Sequence, residues 1–143
     1  MHPYPHKYSV SAIGGPTGTV QVSSARLIDI ATAAPAEFGG PGDLWSPETL
    51  LCGSIANCFV LTFRALARAS KLEWFELNCR VAGVLERVDG VTRFSGYTTH
   101  AALRIPAGAD AAPGRALLEK AEQGCLVANS LRGERVLVAE VMS

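Results

Sequence analysis

The sequence predicts an α+β fold, in which antiparallel sheets pack around one long buried helix within a single domain over residues 1–143. Three observations predict it. An uncharged stretch, Thr49–Phe63, follows a helix-start signal, Asp89-Gly90 joins two alternating runs, and further alternating runs open and close the chain. Separate blocks of strand and helix in this order are typical of α+β domains.

The first strands are expected close to the N-terminus. Apolar and polar side chains alternate over residues 6–12, a glycine-rich turn occupies 14–18, and the alternation resumes over 19–24, which predicts a hairpin. A third strand is expected over 26–32. The segment 33–44 is rich in proline and glycine and is predicted to be a loop.

The long helix is predicted to run from Ser46 to about Ser70. Ser46 is a good cap, Pro47 suits the first helical position, and the carboxylate of Glu48 complements the positive end of the helix dipole. Its uncharged stretch is 15 residues long, whereas a spanning helix needs about 20 apolar residues. We therefore expect a core helix that is buried on most sides and no membrane insertion.

The second half of the chain is predicted to hold a hairpin, helices and a final strand. The hairpin strands are expected over 75–86 and 91–105, a loop over 106–114, a helix over 115–123, a short helix from about Cys125, and the last strand over 136–141. Asp-Gly between alternating runs is the strongest short-range hairpin signal.

Composition narrows the class of protein. Hydrophobic residues make up 48% and charged residues 18%, with a formal net charge of zero, which indicates a globular domain and gives no basic surface for nucleic acid. The first eight residues lack the apolar core of a signal peptide. We expect a cytoplasmic protein with reduced thiols, and the low net charge favours a homo-oligomer.

Two of the four cysteines are candidates for redox chemistry. Cys58 lies in the apolar helix, and Cys125 follows Gly124 at the predicted start of a short helix, where free backbone N–H groups would stabilise its thiolate. On local evidence alone, the favoured interpretation of each is a buried, inert thiol. Cys52 and Cys79 are read as core residues. There is no Cys-x-x-Cys and no histidine at ligand spacing, so no metal site is expected.

Other chemistry has weaker support. Glu48 precedes Cys58 by ten residues, about 15 Å along a helix, which excludes direct contact within that helix. The chain has no G-x-S-x-G motif of a serine hydrolase and no Walker loop. A thioesterase built on a buried helix and sheet would have Glu48 as its only identifiable base.

Two motifs together resemble the OsmC/Ohr family, the osmotically inducible and organic-hydroperoxide-resistance proteins. The first is SPETLLCGSIANCF (Ser46–Phe59) and the second is AEQGCLVANSL (Ala121–Leu131). The order of predicted elements fits this family over essentially the whole chain. The resemblance implies an intertwined α+β homodimer and thiol-dependent reduction of organic hydroperoxides, with no metal or other cofactor.

The resemblance also implies roles for individual residues. Cys58 would be the peroxidatic cysteine, Cys125 the resolving cysteine, and Glu48 the carboxylate that orients an activating arginine. An apolar substrate pocket is expected from Phe59, Phe63, Phe38 and Trp45. An external dithiol, such as a lipoyl protein, would reduce the Cys58–Cys125 disulfide.

The chain departs from the family pattern at the activating arginine. In one branch that arginine follows a Gly-Gly pair, where this chain has Pro16. In the other branch it precedes a phenylalanine, where this chain has Glu37 before Phe38. Arg26 is the only arginine before the helix and is the candidate substitute. The alternative function is therefore a catalytically weak or inactive protein that binds a hydrophobic small molecule at the dimer interface.

Overall fold

The computed structural model describes residues 1–143, which divide into two compact units, 1–51 and 52–143. The elements in chain order are β1 (Ser11–Ile13), β2 (Val20–Ser23), β3 (Ile30–Thr32), a 3₁₀ turn (Ala36–Phe38), α1 (Pro47–Ser70), β4 (Glu76–Val88), β5 (Val91–Arg104), α2 (Ala112–Gly124), α3 (Leu126–Asn129) and β6 (Glu134–Met142). Strands and helices thus form the predicted α+β fold.

The N-terminal unit is a small antiparallel sheet in the order β1-β2-β3. The expected strand over 6–12 is wrong in its bounds, because only residues 11–13 pair with a neighbouring strand. The expected strand over 26–32 also begins later, at Ile30, since the chain first makes a turn in which the N–H of Leu27 donates to Ser24. Short alternating runs need a pairing partner, and those at the chain end lack one.

The C-terminal unit contains a sheet in the order β4-β5-β6. The hairpin is confirmed: Val88 pairs with Val91 across the two-residue turn, and both Asp89 (φ 50°) and Gly90 (φ 78°) have positive φ, as a type I′ turn requires. One pairing departs from the antiparallel prediction. β6 is parallel to β5, because the intervening α2 and α3 carry the chain back to the end of the sheet at which β5 begins.

The start of α1 is stabilised as predicted. The side-chain oxygen of Ser46 accepts a hydrogen bond from the Thr49 backbone N–H at 3.1 Å, and the Thr49 hydroxyl oxygen accepts one from the Ser46 N–H at 2.8 Å. This reciprocal arrangement satisfies donors that a helix end otherwise leaves free. Because the cap fixes where the helix begins, it also fixes which side of α1 each later residue faces.

One face of α1 supplies the centre of the core. Its buried residues are Ile55, Phe59, Phe63 and Ala67, spaced four apart. Phe59 and Phe63 belong to one core cluster with residues of β5 and α2 and with Ile105, which directly follows β5; the other members are Ala101, Leu103, Leu117, Leu118 and Ala121. Phe59 and Phe63 share this face, because a spacing of four residues returns a side chain to nearly the same side of a helix.

The other face of α1 is open in the single chain, which differs from the expected burial on most sides. Leu61 is 50% exposed. With a mean hydropathy of 1.7, α1 is long and apolar enough to cross a membrane by composition alone, a property shared by core helices of soluble proteins. The residues that it buries against β5 and α2 are those of a core helix.

The helix α2 begins three residues earlier than predicted. It starts at Ala112, whose N–H donates to the carboxylate of Asp110 at 3.1 Å. Pro113 lies in the first turn, where its missing N–H costs nothing. The sequence prediction read this proline as part of a loop over 106–114, although the first helical turn is a favourable place for it.

Candidate functional site

Cys58 lies near the middle of α1 and opens into a cavity of about 540 Å³. The cavity is lined by Ser54, Asn57, Cys58, Leu61, Thr62, Ala65, Leu126 and Val127. Its walls therefore come from one side of α1 and from the start of α3. The Cys58 side chain is half-buried, so the sulfur is reachable while leucine, valine and alanine side chains surround it.

Cys125 occupies the break between α2 and α3. Its backbone is extended (φ −66°, ψ 100°), so α2 ends at Gly124 and α3 begins at Leu126. The side chain is completely buried. Its thiol donates to the backbone carbonyl of Ile55 on α1, with 3.8 Å between sulfur and oxygen, and it lies close enough to Cys58 for each thiol to affect the pKa of the other. The fold thus brings together two reduced cysteines from opposite ends of the C-terminal unit.

The surroundings of Cys58 favour its thiolate. Burial raises the pKa of the Cys58 thiol, but hydrogen bonds lower it by more, so the pKa lies below its ordinary value. The groups that lower it are the backbone N–H of Val127, the Cys125 thiol, the Thr62 hydroxyl and the backbone N–H of Leu126. Hydrogen bonds to a charged form stabilise that form. None of these four groups is a cation.

The pKa of the Cys125 thiol is shifted in the opposite direction, above its ordinary value. Burial raises the pKa of Cys125, and the nearby Cys58 thiolate and Glu122 carboxylate raise it further. We expected the N–H groups at the start of the short helix to stabilise a Cys125 thiolate. The N–H of Ala128 does lower the pKa of Cys125, but by less than burial raises it, and the N–H groups of Leu126 and Val127 lie on Cys58. The pair is therefore polarised: its surroundings favour the thiolate form of Cys58 and the neutral thiol of Cys125.

The remaining cysteines are suited to packing rather than to reaction. Burial, together with electrostatic interactions with Cys125 and Glu122, raises the pKa of Cys79 to about 12. Burial likewise raises the pKa of Cys52, whose sulfur packs closely over Gly83 in β4. A thiol that stays protonated is a poor nucleophile.

Glu48 lies in the first turn of α1, beside a second cavity of about 470 Å³ in the N-terminal unit. The cavity is lined by Ala12, Val20, Val22, Thr32, Ala33, Ala34, Pro35, Phe38, Pro47, Glu48 and Leu50. Oε1 of Glu48 is buried and has no hydrogen-bond partner. A buried carboxylate oxygen without a partner is costly, so this position favours a group that donates a hydrogen bond.

The four aromatic residues expected in a substrate pocket are placed differently from one another. Phe59 and Phe63 are completely buried in the core and line neither cavity. Phe59 follows Cys58 directly, and adjacent helical residues point about 100° apart, which explains why it turns away from the Cys58 cavity. Phe38 lines the cavity beside Glu48. Trp45 is 54% exposed and lines neither cavity.

The expected substitute cation, Arg26, lies in the exposed turn after β2 with a positive φ of 65°. Pro16 lies in a bend between β1 and β2, and Glu37 belongs to the 3₁₀ turn Ala36–Phe38. No arginine contributes to the lowered pKa of Cys58. The activating role of Arg26 at that thiol therefore stays a prediction.

Sequence reasoning missed most of the groups that surround Cys58. Thr62 donates to the Cys58 backbone carbonyl at 2.7 Å and lies 3.9 Å from its sulfur, and its position one turn after Cys58 is the signal that was available. The N–H groups of Leu126 and Val127 carry no side-chain signature. Only the Gly124-Cys125 helix break hinted at them.

The comparison with protein families gives a class for this fold and thiol pair. The family model described as OsmC-like protein matches residues 40–139. The chain is also 32% identical over 126 residues to an organic hydroperoxide resistance protein of Xanthomonas axonopodis pv. citri, which covers 86% of this chain and 84% of that relative. The chain belongs to the OsmC-like family.

Other relatives and solved structures agree on the fold. An uncharacterized protein of Bacillus subtilis, YmaD, is 28% identical over 86% of this chain and 82% of its own length. A Legionella pneumophila structure described as an organic hydroperoxide resistance protein has a TM-score of 0.76 at 25% identity, covering 99% of this chain and 100% of that one. The structure of an OsmC-like protein of unknown function from Vibrio cholerae has a TM-score of 0.86 at 13% identity, covering 94% of this chain and 99% of that one.

Proposed function

We propose that this protein is a thiol-dependent peroxidase that reduces organic hydroperoxides, with Cys58 as the peroxidatic cysteine and Cys125 as the resolving cysteine. The observation that carries the proposal is the neighbouring thiol pair at the edge of an open cavity, in which the surroundings lower the pKa of Cys58 and raise that of Cys125. Relatives named organic hydroperoxide resistance proteins support the substrate class. The leucine, valine and alanine side chains that line the cavity suit the organic part of such a substrate.

The proposed chemistry balances in two steps. The Cys58 thiolate attacks the distal oxygen of the hydroperoxide, the O–O bond breaks, and the leaving alkoxide takes a proton from water to become an alcohol. Cys58 is now a sulfenic acid. The sulfur of Cys125 then attacks that of Cys58, and hydroxide leaves with the Cys125 proton as water, which forms the disulfide. An external dithiol supplies two electrons by thiol–disulfide exchange and restores both thiols.

We propose that hydrogen-bond donors activate Cys58 in place of an arginine. The donors come from the Cys125–Val127 turn and from Thr62, and they are fixed by the break between α2 and α3. Donors that are already in place stabilise a thiolate without the cost of ordering a long side chain. Glu48, which the family resemblance pairs with an arginine, would then hold no activating cation for Cys58.

Exposed apolar side chains support a homodimer. Leu61 and Leu126 flank the Cys58 cavity and are 50% and 68% exposed, and Ile13, Leu27 and Ile28 are exposed in the N-terminal unit. Large apolar side chains left in water on one chain mark interaction surfaces. A second copy would cover the open face of α1 and enclose the cavity. We place this homodimer in the cytoplasm, where thiols are kept reduced.

A Cys125→Ser variant tests the resolving role. We expect one turnover to leave Cys58 as a sulfenic acid, because serine offers no sulfur to condense with it. A dimedone adduct at Cys58, detected by mass spectrometry after stoichiometric hydroperoxide, would mark that state, and excess peroxide should convert it to sulfinic acid. Cys79→Ser is the matched control and should form no adduct. An adduct-free Cys125→Ser protein that still turns over peroxide would remove Cys125 from the mechanism.

A second candidate function rests on the cavity beside Glu48. Its lining and the unpartnered carboxylate oxygen would suit a hydrophobic small molecule that carries a hydrogen-bond donor. In that case the protein would be a binding module at a dimer interface and its thiols incidental. Native mass spectrometry of the purified protein separates the two functions. A co-purified lipid-like ligand, lost on Glu48→Gln, together with no disulfide after mild peroxide, favours binding.

A further inference from the structure

Arg135 is a charged residue on the core side of β6. The inward-facing residues of this strand are Arg135, Leu137, Ala139 and Val141, and all are partly buried. The last three pack against the hydrophobic core. Burying a cation among apolar side chains costs free energy unless its N–H groups find hydrogen-bond partners. The partners of Arg135 therefore indicate its role.

The guanidinium of Arg135 donates hydrogen bonds to residues on both sides of the junction between α2 and α3. Nε donates to the carboxylate of Glu122 at 2.8 Å, Nη1 donates to the side-chain oxygen of Asn129 at 2.6 Å, and Nη2 donates to the backbone carbonyl of Glu122. The Asn129 amide in turn donates to the backbone carbonyl of Gln123 at 3.0 Å. One planar side chain thus bonds the end of α2 and the end of α3 at once.

These bonds hold the two ends of the segment that carries Cys125. The carbonyls of Glu122 and Gln123 belong to the last turn of α2, where the helix itself offers them no partner. Arg135 and Asn129 satisfy them. Between these anchors lie Cys125 and the N–H groups of Leu126 and Val127.

We propose that Arg135 is a positioning residue that fixes the segment 122–129, and thereby keeps the Cys125 thiol and the N–H groups of Leu126 and Val127 on Cys58. Arg135 touches neither reacting sulfur and acts through the segment. An effect of Arg135 on turnover would depend on the proposed peroxidase function. Its effect on the reactivity of the Cys58 thiol does not depend on that function.

A purely structural role would have a different signature. The Arg135–Glu122 pair is partly exposed, with side chains at 27% and 18%, and such pairs contribute little to stability. Loss of Arg135 should therefore lower the melting temperature only modestly. The titratable groups that act on the site are the two thiols, Cys79, and Glu122, whose charge raises the pKa of Cys125 and of Cys79.

The test is the pH dependence of Cys58 alkylation in the fully reduced protein, read by mass spectrometry with iodoacetamide as the probe. Because the pKa of Cys58 is lowered, its alkylation in the wild type should reach half its limiting rate below the pH expected for a free cysteine. In Arg135→Ala we expect that half-point to rise by roughly one pH unit, which is about a tenfold slower reaction at neutral pH.

Three further variants separate positioning from charge and from folding. Arg135→Lys keeps the positive charge but loses the planar fork, so most of the shift should persist. Asn129→Ala removes only the link to α3 and should shift the half-point in the same direction by less. Arg132→Ala removes an exposed arginine three residues away and should leave the profile unchanged.

Two results would overturn the proposal. If Arg135→Lys has a wild-type profile, the effect of Arg135 is one of charge and not of geometry. If Arg135→Ala and Asn129→Ala melt at lower temperature yet keep the wild-type Cys58 profile, Arg135 serves stability alone. Alkylation needs no peroxide, so a protein inactive toward hydroperoxides that still shows the shift would refute the proposed function and leave the positioning role standing.

Discussion

Cys58→Ser is expected to reduce hydroperoxide turnover by at least about 10³-fold, because serine cannot supply the thiolate that breaks the O–O bond. The measurement is consumption of a bulky hydroperoxide, such as cumene hydroperoxide, by the reduced protein with a dithiol as reductant. Cys52→Ser is the matched control, since Cys52 lies on the same helix with a raised pKa, and it should retain wild-type turnover.

Equally slow turnover by the wild type and the Cys58→Ser variant would contradict the peroxidase function.

The same experiment performed with hydrogen peroxide tests whether the apolar cavity selects the substrate. We expect the wild type to prefer the organic hydroperoxide, because Leu61, Leu126 and Val127 line the approach to the sulfur and gain from burying a hydrocarbon group. Equal rates for both peroxides would show that the cavity does not select the substrate.

Phe59→Ala is expected to cost about 3–5 kcal/mol of unfolding free energy, as truncation of a buried phenylalanine does when the surrounding core cannot collapse. Phe59 is completely buried and packs with residues of β5 and α2. The measurement is urea unfolding followed by circular dichroism. The same loss should appear in the melting temperature.

Phe75→Ala provides the matched control for this truncation. Phe75 is 62% exposed, and its ring lies 5.5 Å from the guanidinium of Arg104. An exposed contact of this kind contributes less than about 1 kcal/mol. Similar losses for Phe59→Ala and Phe75→Ala would contradict the placement of Phe59 at the centre of the core.

The fold was predictable wherever a structural feature is determined by a few neighbouring residues. The Ser46 cap places the start of α1, and the Asp89-Gly90 dipeptide places the hairpin, because both act within a few residues. The parallel pairing of β6 with β5 was missed, since it depends on the path of two helices. The single domain predicted over residues 1–143 stays a prediction.

The candidate site was predictable only in part. The motifs around Cys58 and Cys125 led to two thiols that lie close enough to affect each other's pKa. The groups that favour the Cys58 thiolate are mostly backbone N–H donors, which leave no trace in side-chain patterns. Arg135 was missed for a related reason: its partners are a carboxylate, an amide and a carbonyl that only the break at Cys125 brings together.

The pairing of Cys58 with Cys125 is tested most directly by mapping disulfides after stoichiometric organic hydroperoxide. Peptide mass spectrometry of the unreduced digest identifies which cysteines are joined, and a dithiol should reverse the change. We predict a Cys58–Cys125 disulfide, with Cys52 and Cys79 still free. A protein whose four thiols survive the treatment, or whose disulfide joins another pair, would contradict the proposed site.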